Sequence, residues 1–73
     1  MINVYTKVGC PACKMTERWL TEHGFGYEEL NTTERTELLN DLKLQGYSGL
    51  PVVVTANNSW QGFRPDYLSK YLK

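Results

Sequence analysis

Cys10 and Cys13 stand three apart, with Pro11 and Ala12 between them, and they are the only cysteines in this 73-residue chain. An alternating run precedes them and a helix-period run follows, so one thiol falls at the start of a helix and the other one turn further in. Residues i and i+3 on a helix carry Cβ atoms about 5–6 Å apart, from which a small local adjustment reaches disulfide distance. A reversible bond is geometrically natural. Unpaired N–H groups and the helix dipole at an N-terminus also stabilise a thiolate, and lower such thiols to pKa values of about 3.5–7.5. Cys10 gains most from this. It is expected to be the solvent-facing nucleophile that opens a substrate disulfide, with the more buried Cys13 resolving the resulting mixed disulfide by intramolecular attack. Pro11 stiffens the turn between them.

Two other uses of the pair compete with this one. A CxxC is half of many zinc sites, but no second cysteine pair exists, and the single histidine, His23, falls near the far end of the same helix. His23 reads better as a solvated helix-end residue favoured by the C-terminal dipole. An inert structural bridge is the other alternative, yet a loop of this length is far too short to staple a fold. No metal or other cofactor is therefore expected, only a redox-active disulfide between Cys10 and Cys13.

The elements that must position these thiols follow from periodicity. Ile2 and Val4 alternate with Asn3 and Tyr5 as a strand does, and Thr6 to Gly9 form the loop that delivers Cys10. From Pro11 to Glu22 the pattern is helical, with Met15, Trp19 and Leu20 as the apolar stripe, Pro11 in the first turn and Gly24 at the stop. Phe25 to Leu30, carrying Glu28 and Glu29, reads as an exposed edge strand. Asn31, Thr32 and Thr33 are candidate N-caps for a second helix over Thr33 to Gln45, with Leu38, Leu39 and Leu42 apolar and Gly46 as a left-handed stop. Leu50 to Thr55 and Trp60 to Gly62 then form a hairpin about Asn57 and Asn58. A last helix begins at Pro65 and runs to the end of the chain, with Asp66 at its positive end and Leu68 and Leu72 facing one way.

The order is β-α-β-α-β-β-α. A right-handed crossover makes the first two strands parallel and the hairpin adds two antiparallel ones, giving an α/β domain with a four-stranded mixed sheet flanked by three helices.

Composition agrees with a single domain over residues 1–73, because so short a chain buries only about 60% of its unfolded surface even as one unit. Eight basic and eight acidic side chains cancel, and no run of like charges offers a footprint for nucleic acid or an anionic membrane. The longest apolar run, Leu50 to Val54, is too short to span a bilayer, and no secretory segment is expected. With two cysteines only, the expected setting is the reducing cytoplasm, and the expected state a monomer.

Two segments carry a family resemblance. Residues 4–14, Val-Tyr-Thr-Lys-Val-Gly-Cys-Pro-Ala-Cys-Lys, are similar to a glutaredoxin-type opening, and Trp60 to Asp66 resembles the W-S-G-F-R-P-D signature of the NrdH redoxins. The second segment is the more specific, and the likeness extends over nearly the whole chain. It implies a thioredoxin fold and a dithiol-disulfide electron carrier that takes electrons from thioredoxin reductase and passes them to class Ib ribonucleotide reductase. In this chain Ala12 and Gln61 stand where such proteins commonly have Gln and Ser or Thr. The first change lies in the active-site loop and bears on thiol pKa and potential, and the second is expected to be a mild change at the rim.

The resemblance also implies site residues. Pro51 matches the proline held in cis beside the thiols, which would present the Leu50 backbone to an extended substrate. Val8, Ala12 and Leu50 are expected to form an apolar rim around Cys10, with Pro11 and Lys7 beside it, and Trp60 is expected either to join that rim or to lie in the core. Gly62, Phe63, Arg64, Pro65 and Asp66 are read as a structural motif, Arg64 tying the last helix to the sheet by hydrogen bonds. The alternative is a glutathione-reduced glutaredoxin. Of the three polar anchors of a glutaredoxin's glutathione site only the basic residue is matched, by Lys7. Gly49, Leu50 and Pro51 replace its Thr-Val-Pro, and Gly62 to Asp66 replace its acidic turn.

Overall fold

The computed structural model describes residues 1–72. Seven elements follow one another: β1 (Ile2–Thr6), α1 (Pro11–Glu22), β2 (Tyr27–Asn31), α2 (Thr36–Leu44), β3 (Val52–Val54), β4 (Ser59–Gln61) and α3 (Pro65–Tyr71). The strands form one sheet in the order β2-β1-β3-β4, with β1 and β2 parallel and the other pairs antiparallel. β2 is an edge strand, and its Glu28 and Glu29 are exposed.

Strand alternation sorts the sheet's two faces. Val4, Val53 and Trp60 lie opposite one another across β1, β3 and β4, and together with Leu20 of α1 and Leu68 of α3 they form the buried core. Leu20 and Leu68 are fully enclosed, and each such side chain contributes about 1.5–3 kcal/mol by leaving water. Val52, one residue along from Val53, is buried on the opposite face, and Leu42 is the buried residue of α2.

Several boundaries differ from the sequence expectation, each for a local reason. On α1 the buried face is Cys13, Thr16 and Leu20, whereas Met15 is 51% exposed. Two positions past Cys13 is about 200° around a helix, so a helix that turns its second cysteine inward turns Met15 outward. Thr16 is tolerated inside because its hydroxyl donates to the Ala12 carbonyl at 3.0 Å. β2 begins at Tyr27 rather than Phe25, and Phe25 instead packs against the core from the connection.

α2 starts at Thr36, three residues later than the candidate caps suggested. Those caps are occupied elsewhere. Asn31 Oδ1 accepts the Thr33 N–H at 2.8 Å, Thr32 Oγ1 donates to the Thr6 carbonyl at 2.8 Å, and Thr33 Oγ1 accepts the Val8 N–H at 3.1 Å. Arg35 stands at the cap position with no side-chain cap bond.

At the hairpin, Leu50 and Pro51 precede β3 rather than belonging to it, and Gly62 leaves β4 with φ at +87°. α3 ends at Tyr71 with Leu72 as its C-cap, and the chain end at Lys73 lies outside the described residues.

Candidate functional site

The site lies at the end of β1, where a loop turns the chain into α1. Gly9 supplies the turn with φ at +73°, and the Val8 N–H is tied across to Thr33. Cys10 then takes an extended conformation as the N-cap of α1, with Pro11 at the first helical position. Its sulfur accepts the Cys13 N–H at 3.1 Å, which satisfies one of the free donors at the helix start.

Cys10 and Cys13 are joined as a disulfide, with Cα atoms 5.3 Å apart. The expected asymmetry of exposure is present but small: Cys10 is 5% exposed and Cys13 2%. Cys10 is therefore less solvent-facing than the sequence suggested. Part of the cover is the Leu50 carbonyl, 3.9 Å from the Cys10 sulfur.

The loop carrying Leu50 is fastened from two directions. Its Leu50–Pro51 bond is cis and Pro51 is buried, with the Pro51 carbonyl accepting the Gly62 N–H at 2.7 Å. Gln61 makes a second attachment, its Oε1 accepting the Ser48 N–H at 2.9 Å and its Nε2 donating to Ser48 Oγ at 3.2 Å. Tyr47 and Ser59 are joined through their hydroxyls. Gln61 is thus a clamp on the loop over the disulfide, not merely a rim residue. Its signal in the sequence was its departure from the signature.

Of the residues expected at a rim around Cys10, Val8 is 69% exposed, Pro11 is exposed, and Ala12 and Leu50 are half-buried. Trp60 does not join it. Its ring is 5% exposed in the core, with Tyr67 and Tyr71 at centroid distances of 5.8 Å. The register opposite Val53 turns it to the face covered by α1 and α3. Phe63 packs half-buried against the same core.

Arg64 also differs from expectation. Its guanidinium donates to both carboxylate oxygens of Asp66, at 3.2 and 2.9 Å, and lies over the Tyr67 ring at 4.1 Å. All three residues stand at the start of α3, so Arg64 braces that helix start and not the sheet. Their mutual hydrogen bonding holds the Asp66 carboxyl below its usual range and the guanidinium above its own. His23 is exposed at the C-terminal end of α1, its ring stacked on Trp19.

Lys7 is exposed and lines two cavities: one of about 250 Å³ that reaches both cysteines, and one of about 360 Å³ that runs under α2 to Leu50. On β2 and α1 the first also meets Glu29 and Glu17, which the sequence reading had not connected with the thiols. Burial, then the charge of Glu29, pushes the Glu17 carboxyl above its ordinary value. Among the described residues no cluster of three or more His, Cys, Asp or Glu side chains is placed to hold a metal ion, and no helix is long and apolar enough to cross a membrane.

Two sulfurs in bonding contact at a helix N-terminus can store and release an electron pair. Comparisons with known proteins agree in kind. A family model for glutaredoxin matches residues 2–60. The glutaredoxin-like protein NrdH of Lactococcus lactis subsp. lactis is 36% identical over 70 residues, 96% of this chain and 97% of that one. The protein of the same name from Escherichia coli K12 is 38% identical over 69 residues, 94% and 85% of the two chains. The solved structure of E. coli NrdH-redoxin superposes with a TM-score of 0.93 at 36% identity, covering 99% of this chain and 95% of that one, and makes the fold thioredoxin-like.

Proposed function

This chain belongs to the glutaredoxin family, among its NrdH-like members, and is a thiol-disulfide oxidoreductase; from that premise we propose that it is a cytoplasmic electron carrier reduced by thioredoxin reductase. Its acceptor, on this reading, is the disulfide of a class Ib ribonucleotide reductase, and it works as a monomer of one domain.

Cys10, as thiolate, attacks the substrate disulfide, giving a mixed disulfide and releasing the first substrate thiol. Cys13 then attacks the Cys10 sulfur, which closes the internal disulfide and releases the second. Electrons from the reductase reopen it. An extended substrate would lie along Leu50, between Val8 and Ala12.

The observation that carries the choice of reductant is how Gly62 to Asp66 are spent. A glutathione site there needs free N–H groups and carboxylates for the γ-glutamyl end. The Gly62 N–H is given to Pro51, Pro65 has none, and both Asp66 oxygens are taken by Arg64. Replacing such anchors costs about 1–3 kcal/mol for each lost or unsatisfied interaction, enough to weaken glutathione tens- to thousands-fold. The E. coli relative is itself described as having a thioredoxin-like activity profile.

The test is reduction by NADPH with thioredoxin reductase beside reduction by glutathione with glutathione reductase, at physiological concentrations. Faster turnover by the first is expected. Equal or faster turnover by glutathione would make the chain a glutathione-dependent glutaredoxin, the reading that Lys7 alone favours.

A further inference from the structure

A resolving thiol must lose its proton before it can attack, because the thiolate is the nucleophile. Cys13 is 2% exposed, so bulk water has little access to it, and a thiol shut away from water holds its proton more tightly. The step therefore calls for a local acceptor.

The cavity of about 250 Å³ beside the disulfide contains two candidates. Glu17 follows Cys13 by four residues on α1, the spacing that stacks side chains on one side of a helix. Glu29 projects from β2, anchored by the Thr6 hydroxyl donating to its Oε2 at 2.9 Å. A space of this size holds several waters, each with a share of about 30 Å³, so a proton can pass by one water as well as directly. We propose that Glu17, set beside Glu29 in the cavity that opens onto Cys13, accepts the proton of the Cys13 thiol as that thiol resolves the mixed disulfide.

The assignment rests on Cys10 attacking and Cys13 resolving. In the step, the Glu17 carboxylate takes the Cys13 proton, and the Cys13 sulfur bonds to the Cys10 sulfur. The bond between Cys10 and the substrate sulfur breaks, its electron pair leaving with the substrate thiolate. Glu17 returns its proton to that thiolate or to solvent. No other reductant or oxidant is involved.

The charges around Glu17 favour this use. Burial and the Glu29 charge raise its carboxyl, while Tyr27 on β2 and Lys14 on α1 act the other way with smaller effect. A carboxyl moved upward lies closer to the thiol it must deprotonate, which eases the transfer. Lys7, on the loop side of the cavity, completes the set of charged groups that face it.

Stopped-flow reaction of the reduced protein with 5,5′-dithiobis(2-nitrobenzoate) separates the steps, since attack by Cys10 releases one nitrothiolate and resolution by Cys13 the other. In Glu17→Gln the second phase is expected to slow about a hundredfold, the low end of what a positioned base contributes, with the first phase unchanged. Its rate should also lose the rise with pH that tracks the Glu17 carboxyl. Glu22→Gln, at the far end of the same helix, is the control and should leave both phases alone. Adding acetate to Glu17→Ala should restore the second phase selectively, which a structural role would not allow. An unchanged second phase and pH profile in Glu17→Gln, or no restoration by acetate, would overturn the proposal. Cys13→Ser should release the first equivalent only, and failure of that first release would overturn the thiol assignment on which the role of Glu17 stands. None of these readouts depends on which reductase supplies the electrons.

Discussion

The Gly62 N–H donates to the Pro51 carbonyl at 2.7 Å, so the residue that leaves β4 fastens the proline next to the Leu50 carbonyl over Cys10. Gly62 does this at φ +87°, with open space where a Cβ would stand. Gly62→Ala therefore meets no clash, and its cost is conformational. A loss of about 1 kcal/mol or more is expected in chemical denaturation, because an L residue is strained there. Relaxing that strain moves the Pro51 loop, so insulin reduction should slow several-fold as well. Unaltered stability would show that the turn accepts a side chain.

Gln61 clamps the same loop by its two bonds to Ser48. Both are exposed, so Gln61→Ala should cost only about 0.5–1.5 kcal/mol for each bond at most. Loosening the loop should matter more for a protein substrate that docks along Leu50 than for a small aromatic disulfide. Parallel assays on the two substrates should show a larger loss on the protein, and equal losses would count against a docking role for the loop.

The two thiols should behave differently when replaced singly. Cys13→Ser should still attack and accumulate a mixed disulfide, visible on a non-reducing gel, whereas Cys10→Ser should trap nothing because the attacking thiolate is gone. Trapping by Cys10→Ser alone would reverse the roles.

Cys10 should titrate below the free-thiol value of about 8.5, since its sulfur sits at the N-cap and already accepts the Cys13 N–H. Thiolate absorbance of the reduced protein measures this directly. A value at or above the free one would mean that the low exposure of Cys10 outweighs the helix end.

Glu17 makes a separate contribution to the pH dependence of stability. Its folded carboxyl is raised above the ordinary 4.5, so between that value and the raised one the folded chain binds more protons than the unfolded chain. Stability from this group is thus full below the window and falls as pH rises through it. Glu17→Gln should be more stable than the parent at neutral pH, with the gap closing below about pH 4. Melting curves across pH check it, and a constant gap would assign the difference to packing instead.

The features legible in the chain alone were local ones. Cys10, Pro11, Ala12 and Cys13 lie within one helical turn, so their spacing was enough to call for a reversible disulfide, and the disulfide is there. Element order followed from hydrophobic period and from stops such as Gly24 and Gly46, both of which have positive φ. How residues far apart in the chain face one another was set by the packing of the sheet and helices. Trp60 was readable as a surface aromatic or a core one until the register with Val53 turned it inward. Thr32 and Thr33 were readable as caps until β1 and its loop claimed them from 26 and 25 residues away. Gln61 with Ser48, and Glu29 with the cavity at Cys13, arise from strand pairing and have no periodic signal at all. A polar side chain takes whichever partner packing leaves beside it, and desolvation makes that choice binding. Short-range spacing can report a turn or a helix face, whereas that choice is made only when the sheet closes.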